Sequence, residues 1–121
     1  MKSARMTAAA IGISLSFLGS AIAEDATVVA PNHYKVEFEN DKVRVIRITY
    51  GPGEEAAMHE HPDAVLVNLS NFTVQFTLAD GAMPPAEPAT AGSVAWAAAA
   101  MHSAKNVGSG RAEALLIEIK D

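Results

Sequence analysis

Phe72-Thr73-Val74-Gln75-Phe76-Thr77-Leu78 alternates apolar and polar side chains without a break. Successive residues of an extended chain point to opposite faces, so this stretch reads as a strand with one dry and one wet side. Just upstream, Val65 to Leu69 is a β-branched and aliphatic run. Ser70-Asn71 between the two is turn chemistry, which predicts a hairpin ending at Asp80-Gly81.

The same pattern extends in both directions. Val36, Phe38, Val43, Val45, Ile46, Ile48 and Tyr50 sit among charges and are interrupted by Asn40-Asp41, giving two strands with a tight connection. Gly51-Pro52-Gly53 forces a break, and Pro62 ends the short segment that follows. Pro84, Pro85 and Pro88 exclude a helix and leave a loop or an edge segment. Gly92 opens Ser93 to Trp96, with Trp96 read as core, and Ala112 to Ile119 alternates around Leu115, Ile117 and Ile119. The alanines at 97–100 have helix propensity but are too few to nucleate a helix. Seven or eight short strands without a long helical pattern indicate an all-β barrel or sandwich.

The first residues read differently. Lys2 and Arg5 precede an apolar run from Ala8 to Leu18, and Ala21-Ile22-Ala23 places small residues where a signal peptidase cuts. Residues 1–23 are therefore expected to be a cleaved signal peptide, residues 24–33 an N-terminal arm and residues 34–121 the domain, in a periplasmic or secreted protein. No apolar run approaches the ~20 residues of a membrane-spanning helix, so no membrane insertion is expected after processing. Without Lys2 and Arg5, seven basic residues face fourteen acidic ones, a net charge of −7. That balance lacks the basic face that nucleic acid requires. With no cysteine, an exported domain this small has no disulfide and depends on its core, a metal or self-association.

Chemistry concentrates in histidine. His59 and His61 lie one residue apart, and on an extended segment positions i and i+2 share a face, so both imidazoles can converge on one point. Neutral imidazole nitrogens suit a divalent ion at about 2.0–2.1 Å. The plainer reading makes them solvated residues of an acidic loop that contains Glu54, Glu55, Glu60 and Asp63.

Gly53, five residues, His59, one residue and His61 resembles the first half of the first motif of the cupin superfamily. Gly92, followed later by His102, three residues and Asn106, resembles the second, about forty residues on. The likeness runs from about Tyr34 to Ile119. It implies a small jelly-roll β-barrel in which His59, His61 and His102 are metal ligands. The motif's glutamate is missing, since its positions here are Val65 and Leu66, and the proline and glycine that usually precede the second-motif histidine are replaced by the alanine tract. Three neutral imidazoles leave a divalent ion its full charge, which disfavours Mn²⁺ and Mg²⁺ and favours Fe, Zn, Cu or Ni. Three protein ligands also leave open positions for water, dioxygen or a small-molecule ligand. Three-histidine iron sites occur among cupin dioxygenases, so the resemblance implies a metal-dependent oxidoreductase or dioxygenase as one reading. The others are a non-catalytic metal or small-ligand binder and a metal-free structural or interaction barrel. No catalytic residue emerges from the sequence.

Other side chains carry paired readings. Asp63 shares parity with the two histidines and is either a substitute carboxylate ligand or ordinary turn chemistry after Pro62. His33 reads as a solvated or capping residue. Arg44 and Arg47 either clamp a carboxylate substrate or reach to solvent. Tyr50 either caps the core or bonds a ligand. Met58 and Met101 are packing residues or soft donors for copper. The glycosylation patterns at Asn68 and Asn71 are read as chance. Exposed strand edges, together with Val28-Val29-Ala30 in the arm, suggest a homodimer, which the resemblance to cupins also implies.

Overall fold

A computed structural model of the chain describes residues 24–121; the expected signal peptide lies outside the described residues. One helical turn, α1 (Ala26–Val29), precedes nine strands: β1 (Tyr34–Glu39), β2 (Val43–Tyr50), β3 (Glu55–His61), β4 (Ala64–Asn68), β5 (Phe72–Leu78), β6 (Pro88–Ala89), β7 (Val94–Ala97), β8 (Ala100–Asn106) and β9 (Ala112–Ile119). They form a five-stranded sheet in the order β1-β2-β9-β4-β7 and a four-stranded sheet in the order β3-β8-β5-β6. Every named strand pair is antiparallel. The protein is all-β, as the alternation predicts, and its two sheets form the jelly roll that the motif resemblance implies. Among the described residues no helix is long and apolar enough to cross a membrane.

Turn chemistry falls where the residues place it. The Asn40 side chain accepts from the amides of Lys42 and Val43 at 2.8 and 2.9 Å and so closes the β1–β2 hairpin. Gly53 adopts φ +80°, which a side chain would strain, and Glu54 Oε1 accepts from the Gly51 amide at 2.6 Å. The arm is anchored as well. Asp25 caps α1 by accepting from the Thr27 amide, Ala26 is buried, and the Glu60 amide donates to the Glu24 carbonyl.

Two expectations are corrected. The strands on either side of Ser70-Asn71 do not form a hairpin, because β4 pairs with β9 and β7 while β5 pairs with β8 and β6. The link crosses between sheets and bonds to the start of β9: the Leu69 amide donates to the Glu113 carbonyl and the Ser70 hydroxyl to the Arg111 carbonyl. Trp96 is not core but 60% exposed. On β7, Ala95 and Ala97 pair with Leu66 and Ala64, which turns Val94 and Trp96 to the outer face.

That outer face carries an unbroken apolar row across all five strands, Phe38–Val45–Ile117–Val65–Trp96, through direct cross-strand pairs. The interior is built of small residues. Seven of the eleven buried apolar residues are alanine, namely Ala26, Ala30, Ala56, Ala64, Ala104, Ala112 and Ala114. Side chains so short cannot fill the space between two sheets about 10 Å apart. A cavity of about 270 Å³ is left inside the barrel.

Asn106, fully buried at the end of β8, joins three segments. Its Nδ2 donates to the carbonyls of Tyr50 and Gly110 at 3.0 and 2.8 Å, and its Oδ1 accepts from the Gly108 amide at 3.0 Å. Its backbone bonds to Gly53 and Glu54. Asn106→Ala leaves these buried groups unmet and is expected to lower the unfolding free energy by roughly 2–4 kcal/mol, as measured by urea denaturation.

Candidate metal centre and cavity

The site begins with β3, which is extended through His61 as the i, i+2 spacing requires. β8 pairs against it in a register that sets His102 opposite His59 and Ala100 opposite His61. One ring nitrogen from each of His59, His61 and His102 lies within 4.8 Å of the others. The rings meet edge to face, with centroids 4.7 to 5.2 Å apart. The structure thus brings together all three predicted ligands.

His59 is fully buried, and its Nδ1–H donates to the Ala57 carbonyl at 2.7 Å. That bond fixes the tautomer and leaves the lone pair on Nε2, which is buried without a partner. His61 Nδ1 is likewise buried and unpartnered. Such orphaned ring nitrogens are costly unless something occupies the point they face.

Burial disfavours a charged ring in all three. It holds His59 below the usual histidine range; with the neighbouring imidazoles it pushes His61 down to about 3, and with His59 it pushes His102 down to about 4. At neutral pH the rings are therefore uncharged, the form in which a histidine ligates.

Tyr34 packs over His59 and His61, with ring centroids 5.0 and 5.3 Å away, and bonds hydroxyl to hydroxyl with Tyr50 at 2.5 Å. Burial raises both phenols, Tyr50 to about 12. Phe76 stacks on His102 at 4.4 Å. His61, His102, Tyr34, Tyr50, Leu66 and Asn68 are among the residues that line the cavity, which carries no Lys or Arg.

The remaining candidates have other employment. Asp63 is no ligand, because its carboxylate accepts from the Ala99 amide at 2.8 Å and holds the alanine turn that leads into β8. His33 Nδ1 donates to the Thr49 carbonyl at 2.8 Å and its ring stacks on Tyr50. Arg44 is half-buried between Glu118 and Asp25, and Arg47 between Glu37 and Glu113, so neither guanidinium is free for a substrate. Met58 and Met101 have opposite parity to His59, His61 and His102 on their strands. Sequence reasoning missed Tyr34 and Asn68 as site residues; their inward parity, with Ala64 and Leu66 for Asn68, is the signal that identifies them.

No family model matches the sequence, and no curated protein does either. Solved structures do. A cupin domain from Bordetella pertussis is 23% identical, with TM-score 0.66 over 73% of this chain and 92% of that one. An RmlC-like cupin family protein with a double-stranded β-helix fold from Methanocaldococcus jannaschii is 15% identical, with TM-score 0.57 over 72% and 78%. The polyketide cyclase RemF from Streptomyces resistomycificus is 12% identical, with TM-score 0.54 over 73% and 64%. The fold is that of the cupin superfamily, the double-stranded β-helix.

Unfolded histidines titrate near 6.5, whereas these three resist protonation in the fold. Above pH 6.5 both states are neutral. Below it the unfolded chain binds protons that the native one refuses, so stability falls with pH by up to about 1.4 kcal/mol per unit for each imidazole. Urea melts of chelator-treated protein between pH 7 and 5 are expected to show this slope. His61→Gln is expected to flatten it.

Proposed function

We propose that the protein is an exported cupin that binds one divalent transition metal through His59, His61 and His102. The observation that supports this most directly is the pair of buried, unpartnered imidazole nitrogens, His59 Nε2 and His61 Nδ1, within a group whose ring nitrogens lie within 4.8 Å of one another. The donor set fits the ion, since three neutral imidazoles suit Fe, Zn, Cu or Ni. The Ala57 carbonyl orients His59 as an outer-shell partner does.

The bound metal would supply Lewis acidity or redox capacity beside the cavity. His61 and His102 line that chamber, and Phe76 stacks on the His102 ring. We assign the site to a metal-dependent oxidoreductase or dioxygenase acting on a small molecule. The fold does not select this chemistry, because it also serves a polyketide cyclase. The assignment rests on the ligand set and the open chamber.

Protein purified without a histidine tag is expected to hold close to one equivalent of metal by elemental analysis. His59→Ala and His61→Ala abolish binding, and His102→Ala weakens it strongly. Leu66 lines the cavity where Val65 pairs outward with Trp96, so Leu66→Glu restores an inward carboxylate. That variant melts higher with added Zn²⁺ or Fe²⁺ than without. Equal destabilisation in both conditions contradicts the metal site, since the glutamate is then an unpaired buried charge.

The expected homodimer finds support in the row Phe38–Val45–Ile117–Val65–Trp96. Strands about 4.8 Å apart make this row roughly 19 Å wide, and stacking it on a second copy along a two-fold axis parallel to β9 sets Phe38 against the partner's Trp96. Light scattering at tens of micromolar is expected to report a dimer, and Ile117→Lys a monomer. A monomeric wild-type chain refutes the pairing.

A further inference from the structure

The cavity has a second polar point far from the histidines. Asn68 is 6% exposed and lines the chamber, yet its Oδ1 is buried with no partner. Which amide atom faces inward is settled by the neighbouring bonds. The Ser93 hydroxyl donates its one proton to the Thr90 carbonyl at 2.5 Å, so Ser93 Oγ is left only as an acceptor. The atom of Asn68 that contacts Ser93 at 3.0 Å is therefore Nδ2. The backbone is clamped too, because the Asn68 amide donates to the Ser93 carbonyl and the Gly92 amide to the Asn68 carbonyl. Oδ1 is a fixed, directional acceptor.

Its position follows from the strand register. Tyr34, Ile48, Ala114 and Asn68 form one inward row across β1, β2, β9 and β4. Tyr34 at one end covers His59 and His61. Three strand spacings of about 4.8 Å place Asn68 roughly 14 Å across the sheet from Tyr34. Between them lies apolar wall, and the next inward residue on the strand of Asn68 is Leu66.

We propose that Asn68 Oδ1 receives a hydrogen bond from the ligand of this cavity, and that the ligand is a small, monocyclic, largely apolar molecule with a hydroxyl donor, of the phenol class. The proposal rests on reading this cavity as the binding chamber of the proposed metal site. Size sets the first limit: a dry cavity of about 150 Å³ accepts benzene, so about 270 Å³ accommodates one substituted ring. Charge sets the second. No Lys or Arg lines the chamber, and Glu87 is its one carboxylate, so the lining offers an anion no partner. Hydrogen bonding sets the third, since an ordered water needs two to four polar partners, and Ala114 and Leu66 beside Asn68 offer none.

The test titrates ¹⁵N-labelled protein with phenol and with toluene, in chelator-treated and in zinc-loaded samples, and compares dissociation constants by NMR. In the wild type, phenol is preferred over toluene by a margin that falls roughly fivefold or more in Asn68→Leu, the size of one buried hydrogen bond. Ser93→Ala frees the amide to turn over and present Nδ2, so the preference moves from phenol toward anisole, which only accepts. If Asn68→Leu does not fold, Ser93→Ala decides the matter alone. An unchanged phenol preference in either variant, or shifts confined to residues outside the cavity, overturns the proposal. Zinc content of the zinc-loaded samples after desalting separates the two claims. Zinc retained without a phenol preference sinks the ligand assignment, and a phenol preference without zinc retention sinks the metal reading.

Discussion

Everything at the site hangs on the register between β3 and β8. His59 and His61 share a face because β3 is extended, but His102 joins them only because it sits directly opposite His59. A slip of one residue would turn His102 outward and dissolve the cluster. Two anchors prevent that slip, one at each end of the pair. Asn106 ties the far end of β8 to the turn at residues 51–54 and to the loop at residues 108–110 through side-chain and backbone bonds. At the near end, Asp63 grips the Ala99 amide just before β8 starts. Local hydrogen bonds remote from the imidazoles thus determine whether the imidazoles meet.

The second determinant is the shortage of volume inside. An alanine-rich interior buries less apolar surface than a leucine-rich one, and each missing methylene forgoes about 0.8 kcal/mol of burial. A small domain without cysteine gives up stability by this choice. The return is space: the alanines at 104 and 114 lie where larger side chains would fill the cavity, and both line it. The same sheet that is thinly packed within is densely apolar without, along the row from Phe38 to Trp96.

Local signals made the strands legible, and long-range pairing limited the rest. Alternation in Phe72–Leu78 and Ala112–Ile119 marks strands because one face of each is dry. The partner of a strand is not a local property, so Ser70-Asn71 reads as a hairpin turn although the Ser70 hydroxyl and the neighbouring Leu69 amide bond to the start of β9 some forty residues away. Trp96 was misread because large aromatic residues are commonly interior, and only the parity of Ala95 and Ala97 on an edge strand reverses that. β8 went unseen since alanine has weak β-preference, and its identity as a strand comes from pairing on both sides. His59 and His61 were readable from spacing alone, whereas His102 needed the motif resemblance. Asn68 was hidden inside a glycosylation pattern, and its use as an acceptor depends on a serine twenty-five residues away.

Leu66 leaves the site without a carboxylate on β4. In a site with an inward carboxylate, part of an ion's charge is balanced by the protein before anything else arrives. Here Leu66, the inward residue on β4 beside Ala64, is aliphatic, and the acids nearest the arm are already engaged, half-buried Asp25 and buried Glu118 both pairing with Arg44. The Arg44 guanidinium also opposes protonation of His61, while Asp25 favours it, so their effects on the imidazoles partly cancel. The chamber lining carries one carboxylate, Glu87, and no Lys or Arg around three uncharged rings. In surroundings of low dielectric, a divalent charge held by such a set is poorly compensated. With Leu66 in place of a carboxylate, no side chain of β4 supplies that compensation, and the three imidazoles alone must hold the ion.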